Sequence, residues 1–192
     1  ATTHATGATR QADLTLGDST LIHLAPESKL VVPKKFSTFR AVKLDGAGVF
    51  QVAKGLEKPF QIRAGNAAII ATGTKLTIRS YTNDSSVTVQ VTEGSVNVKV
   101  GEEIRAVSAG SSVILDKTGK LRDPDPQELA EAVSWIKDTV TINNRQLRTA
   151  IQQLKRWYGL DIKVSDLTLL DRRVSIHATT ESPKAAITEV EI

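Results

Sequence analysis

The chain has 192 residues, of which 40% are hydrophobic, 24% charged and only 4% aromatic, with a formal net charge of +4. That composition is globular and excludes collagen, low-complexity polymer and coiled coil. The longest apolar run is the five residues of Ala67–Ala71, against the roughly 20 needed to span a bilayer.

The positive charge is spread thinly. Up to Pro126 there are 16 Lys+Arg against 12 Asp+Glu, and beyond it 9 against 9. Nucleic-acid binders concentrate their cations and interleave them with aromatic platforms, so no nucleic-acid partner is expected. Cysteine is absent, which removes disulfides, thiolate nucleophiles and cysteine-type zinc clusters and is compatible with an oxidising compartment. The opening Ala1-Thr2-Thr3-His4 has no basic or apolar region of a signal peptide, and without Met it reads as a processed or excised piece.

From Ala12 to about Leu121 the period is two. Leu14 and Leu16, Ile22 and Leu24, Val42 and Leu44, Leu76 and Ile78 alternate with polar neighbours, the pattern of strands with one buried face. Val87, Val89 and Val91 continue into Val96, Val98 and Val100 with a change from odd to even numbers, which a turn or bulge at Gly94 would absorb. Turn signals recur at short intervals, among them Gly17-Asp18, Pro33, Asp45-Gly46, Pro59, Gly65-Asn66 and Gly101. Many short strands between such turns predict a mainly β part, as an antiparallel sandwich, a jelly-roll-like fold or a solenoid-like roll.

The period changes at Asp123-Pro124-Asp125-Pro126. Asp125 suits an N-cap, Pro126 the first helical position, and Glu128 the third residue after the cap. Leu129, Val133 and Ile136 would then share a helical face. A strand from Thr139 to Ile142 comes next, then a helix capped by Asn144. Its stripe is Leu147, Ile151, Leu154 and Tyr158, and Gly159 stands where a helix ends in the left-handed conformation. Leu160, Ile162 and Val164 alternate, as do Val174, Ile176 and Ala178, before a last helix from Ser182-Pro183 through Ile187 and Val190. The order is β-α-β-β-α, without the closing strand that would complete a small α+β unit. The expected division is residues 1–122 all-β, 123–138 a capped connecting helix, and 139–192 the α+β subdomain.

Reaction chemistry is not visible. His4, His23 and His177 stand far apart without a metal-binding spacing, and no G-x-S-x-G elbow or phosphate loop is present. The expectation is a non-enzyme without cofactor, catalytic group or metal.

Several stretches, in order, resemble the FecR family of bacterial cell-surface signalling regulators. They are Leu16-Gly17-Asp18-Ser19-Thr20 with Ile22 and Leu24; Arg40-Ala41-Val42-Lys43-Leu44-Asp45-Gly46 running into Phe50 and Val52; Pro59-Phe60; Thr72-Gly73-Thr74 with Leu76 and Ile78; and Glu93-Gly94 with Val96 and Val98. From Trp135 on, Ile142, Asn143, Leu147, Ile151, Leu154, Trp157-Tyr158-Gly159 and Ile162 are similar to the short N-terminal domain of secretins and TonB-dependent receptors. Two departures stand out. The family's first turn carries Asp-Gly-Ser where this chain has Asp18-Ser19-Thr20, and the acids that flank its central aromatic are replaced by Ala47 and Gln51.

The resemblance implies the periplasmic region of a single-pass inner-membrane anti-sigma protein. Its membrane anchor and sigma-factor-binding cytoplasmic region would lie upstream of residue 1. The implied partner is the signalling domain of an outer-membrane TonB-dependent receptor, and the controlled protein an extracytoplasmic-function sigma factor, for iron-siderophore or other nutrient uptake. In that family receptor contact is linked to the helix with the leucine-type repeat. The candidate contact residues here are therefore Leu147, Arg148, Ile151, Leu154, Arg156 and Trp157, with Trp157 an anchor if exposed. The competing reading of the stripe is that it packs on its own sheet. The alternative function is a periplasmic glycan- or peptidoglycan-binding β module, for which Phe36, Phe39, Phe50, Phe60 and Tyr81 are the available platforms.

Overall fold

The computed structural model describes residues 1–188 and is 44% strand and 20% helix. The chain divides into two compact units. The first comprises Ala1–Thr6 and Gln11–Pro124, the second Gly7–Arg10 and the chain from Asp125 on.

The first unit is the mainly β part that the alternation predicts. Its strands are β1 (Thr2–Ala5), β2 (Ala12–Thr15), β3 (Leu21–Leu24), β4 (Lys29–Val32), β5 (Ala41–Gln51), β6 (Phe60–Ala64), β7 (Ala67–Ala71), β8 (Lys75–Ser80), β9 (Val87–Glu93), β10 (Ser95–Val100), β11 (Glu103–Ser108), β12 (Ser112–Leu115) and β13 (Leu121–Arg122). One sheet runs β1-β4-β5-β6-β7-β10-β11 and the other β2-β3-β5-β8-β9-β12-β13. Strand β5 belongs to both. Its first half pairs with β4 and β6, its second half with β3 and β8.

The changeover falls at Gly46, whose φ is +122° and where a Cβ would lie 2.3 Å from the Ser28 hydroxyl oxygen. Only glycine fits there. The Ser28 hydroxyl accepts the Ala47 N–H at 2.9 Å, so a side chain closes the gap that the bend opens in the ladder. After the bend the chain returns through residues 52–59 to run beside Ala41, and β5 and β6 pair in parallel. The other pairs of this unit are antiparallel, as the alternation suggests.

The inner faces of the two sheets form one cluster in which Leu24, Leu30, Phe50, Phe60, Ile62, Ile69, Leu76 and Ile78 are 0% exposed. Burial of each such side chain contributes about 1.5–3 kcal/mol. The parity change between the valine runs is a corner. Gly94, at φ +76°, carries the chain from β9 in one sheet to β10 in the other, and both sets point inward.

The first turn is built as its altered sequence demands. Ser19 adopts φ +68°, a left-handed conformation that glycine enters without strain. Thr20 takes the partner role, donating its N–H to Asp18 at 2.9 Å and its hydroxyl to Asp18 at 3.1 Å. Asp18 also pairs with Arg40 at 2.8 Å, both side chains being less than a tenth exposed. Arg40 ends the single-turn helix α1 (Phe36–Phe39) in the left-handed conformation at φ +44°.

The second unit contains α2 (Pro126–Val133), a 3-10 turn at Ser134–Lys137, β14 (Thr139–Gln146), α3 (Leu147–Tyr158), a second 3-10 turn at Leu167–Asp171, β15 (Arg173–Thr179) and α4 (Pro183–Thr188). The capping box is present as the sequence predicts. Asp125 accepts from the Gln127 and Glu128 N–H groups, and the Glu128 carboxylate accepts from the Asp125 N–H. Gly159 ends α3 at φ +68°.

Three local expectations change. The first helix stops at Val133, so Ile136 falls in the 3-10 turn and is exposed while Trp135 turns inward. Asn144 does not cap α3. It sits at φ +47° within an irregularity of β14, a conformation asparagine tolerates, and the strand continues to Gln146. Leu160–Val164 forms no strand, although Leu160, Ile162 and Val164 are half-buried and their neighbours exposed. Alternation records which side chains turn inward, not whether a ladder partner exists, and among the described residues β14 and β15 pair only with each other. Helix α4 begins at Pro183 as expected, whereas Val190 lies outside the described residues.

Candidate partner-binding surfaces

Helix α3 is amphipathic, and its apolar stripe turns inward. Ala150 is 0% and Leu154 2% exposed. Trp157 is 6% exposed and lies against Trp135 with ring centroids 5.9 Å apart. The Trp135 indole N–H donates to the Ala132 carbonyl at 3.1 Å, so its polar edge is satisfied within the unit. Tyr158 donates its hydroxyl to the Thr179 carbonyl at 2.7 Å. Burial pushes its phenol up to about 12. Arg156 is 4% exposed, and its carbonyl accepts the Thr9 N–H at 2.8 Å, which ties Gly7–Arg10 to this unit.

The six candidate contact residues therefore divide. Leu154, Arg156 and Trp157 are buried, Leu147 and Ile151 are half-buried, and Arg148 is exposed. The exposed end of α3 is its first turn and a half, and there it meets the second 3-10 turn. Arg148 forms an ion pair with Asp171, and the Leu147 N–H donates to the Arg172 carbonyl at 2.8 Å.

That turn is opened by Asp166, which accepts the Thr168 N–H at 3.0 Å and its hydroxyl at 2.7 Å. These bonds hold the Asp166 carboxyl below the usual carboxylate range. The turn carries Leu167 at 70% and Leu169 at 38% exposure. Sequence reasoning missed this apolar pair. The available signal was Asp166 two residues before Thr168, an N-cap spacing. The Glu131 carboxylate receives Arg145 of β14 through Nε at 2.9 Å and Nη2 at 2.6 Å, and accepts the Asn143 N–H at 3.2 Å.

In the first unit the aromatic platforms are mostly spent on the core. Phe36, Phe50, Phe60 and Tyr81 are at most 8% exposed, whereas Phe39 is 63% exposed. Ala47 is 1% exposed, so no carboxylate would be accommodated there without a partner. His23 bridges Asp13 and Gln11 at 2.6 Å each, and His177 meets the Thr141 hydroxyl at 3.1 Å. Among the described residues no group of three or more His, Cys, Asp or Glu side chains could hold a metal.

The chain matches the family described as FecR protein over residues 2–97 and belongs to that family, whose members are regulatory rather than enzymatic. Two crystal structures of a candidate anti-sigma factor from Parabacteroides distasonis ATCC 8503 share the fold. One, at 1.65 Å, is 22% identical with a TM-score of 0.80, covering 98% of this chain and 89% of that one. The other, at 2.50 Å, is 23% identical with a TM-score of 0.81, covering 97% and 88%. The comparison with curated proteins finds no match.

Proposed function

We propose that this chain is the periplasmic signal-receiving region of a membrane-anchored anti-sigma regulator. The family match over residues 2–97 carries this reading. The likeness to candidate anti-sigma factors over nearly the whole chain supports it. Residues 1–122 act as the family's β domain, 123–138 as a connecting helix and 139–192 as the subdomain similar to the short N-terminal domain of TonB-dependent receptors. The partner is the signalling domain of such a receptor, and the regulated protein an extracytoplasmic-function sigma factor serving iron-siderophore or other nutrient uptake.

Receptor contact falls on the second unit, at the exposed start of α3 and the turn beside it. Leu147, Arg148 and Ile151 supply the helix side, and Leu167 and Leu169 the apolar pair. Leu154, Arg156 and Trp157 support that surface from beneath. Exposed leucines beside an arginine give an apolar centre with a polar rim, the anatomy of a protein interface.

The test is calorimetric titration of isolated receptor signalling domains from the same organism. Leu167→Asp and Arg148→Glu are expected to weaken binding about tenfold or more while leaving the fold intact, because both side chains are exposed. Unchanged affinity in both variants removes this surface, and absence of binding to the unmodified chain removes the receptor as partner.

A further inference from the structure

The outer face of the first sheet, around β6 and β7, carries a built groove that the receptor reading does not use. Register places one lateral row across the strands, with Lys43 beside Arg63, Arg63 beside Ala68, Ala68 beside Lys99, and Lys99 beside Ile104. Lys43, Arg63, Lys99 and Ile104 are exposed and Ala68 half-buried. Neighbouring strands lie about 4.8 Å apart, so Lys43 and Arg63 repel each other, and Arg63 and Lys99 stand about 10 Å apart over a floor of alanine. Among the described residues no carboxylate pairs with Lys43, Arg63 or Lys99. Asp45, on the same face, is taken by the N–H and hydroxyl of Thr82.

Two recesses join along this face. The basic one, of about 490 Å³, is lined by Arg63, Ala68 and Lys99 among others and extends to Gln61 and Ile70. The apolar one, of about 360 Å³, shares Gln61 and Ile70 and adds Phe39 and Pro59. Phe39 stands 63% exposed, yet its backbone is firmly held. Arg40, the next residue, is locked to Asp18 and donates to the Lys58 carbonyl, and Lys58 Nζ donates to the Thr38 carbonyl at 3.0 Å. The wall of the apolar recess is therefore fixed before anything binds. Ile70 and Ala68 are two residues apart on one strand, so the apolar and basic centres are separated by about 7 Å, two residues of extended chain.

We propose that this groove binds an extended acidic segment of a partner protein, with an apolar side chain on Phe39 and Ile70 and a carboxylate two or three residues along between Arg63 and Lys99. A bare phosphate or carboxylate would leave the apolar recess unfilled. A lipid surface would meet the cations but not enter two adjoining recesses, and a nucleic acid would find a single exposed aromatic where it needs a series. The site is distinct from the receptor surface of the second unit and does not depend on that reading.

The test is to pan a library of random peptides against the folded chain and to measure the winners afterwards on Arg63→Glu/Lys99→Glu. All the altered side chains are exposed, so the variants should keep the thermal transition of the parent. The expected winners place Asp or Glu within three residues of Leu or Phe. A synthetic winner should lose about tenfold or more in affinity on that double variant and on Phe39→Ser, and should weaken as salt rises. Winners indifferent to these substitutions, or no enrichment, overturn the proposal. So does flotation with phosphatidylglycerol vesicles that the double variant abolishes while no peptide is enriched, because the face would then belong to a membrane.

Discussion

In the β unit, Phe50, Phe60 and a layer of aliphatic side chains fill the space between two sheets. In the second unit two indoles meet over a two-stranded sheet, and a buried glutamate, a tyrosine hydroxyl and a helix cap complete the enclosure. The first arrangement rests on area removed from water, distributed over many positions. The second buries a smaller apolar set, among it Trp135, Val140, Ile142, Leu154, Trp157, Val174 and Ile176, and adds directional contacts to it, because a two-stranded sheet buries too little by itself. A unit of the first kind is a stiff platform. A unit of the second kind, with less area buried, suits the part proposed to receive a signal.

The largest effect is expected at a buried charge pair of the β unit, Asp18 with Arg40. Asp18→Ala leaves the Arg40 guanidinium buried without its carboxylate, and should cost about 3–5 kcal/mol in urea unfolding of that unit. A loss well under 1 kcal/mol would mean that the turn re-forms without it. Next is Trp157→Ala, which removes the indole lying against Trp135 and should destabilise the second unit by about 3 kcal/mol. Intrinsic fluorescence follows that unit specifically, since both tryptophans lie in it. Loss of both transitions together would show that the units do not unfold separately.

A smaller effect is expected from pH. Tyr158 ionises at about 12 in the fold and near 10 when unfolded. Between those values the folded form holds a proton that the unfolded form has released, so stability falls as pH rises through that window. Thermal melts of the second unit should show this decline, and Tyr158→Phe should flatten it. The smallest effect is a gain. Ser19→Gly relieves a left-handed serine and should raise the stability of the β unit by about 0.5 kcal/mol by chemical denaturation.

Local chemistry was the most legible part of the sequence. The Asp125–Glu128 box, Gly159 and the inward valines of β9 and β10 follow from signals a few residues long. The bend of β5 was visible only as Asp45-Gly46, a turn signal, because its cause is Ser28, eighteen residues away in sequence. The candidate contact surface was half legible. Periodicity picks out the α3 stripe but does not say which side of an amphipathic helix is covered, and here Leu154 and Trp157 are. Leu167 and Leu169 escaped because a single 3-10 turn has no period to detect. The joining of Phe39 to Ile70 depends on the parallel pairing of β5 with β6, and no spacing in the chain announces it.

The proposed function requires that a preformed surface of the second unit be covered by another protein. Hydrogen exchange of the full chain, with and without a bound receptor signalling domain, tests it most directly. Slowed exchange is expected at residues 147–151 and 167–171. A stable complex in which those amides exchange as fast as in the free chain would contradict it.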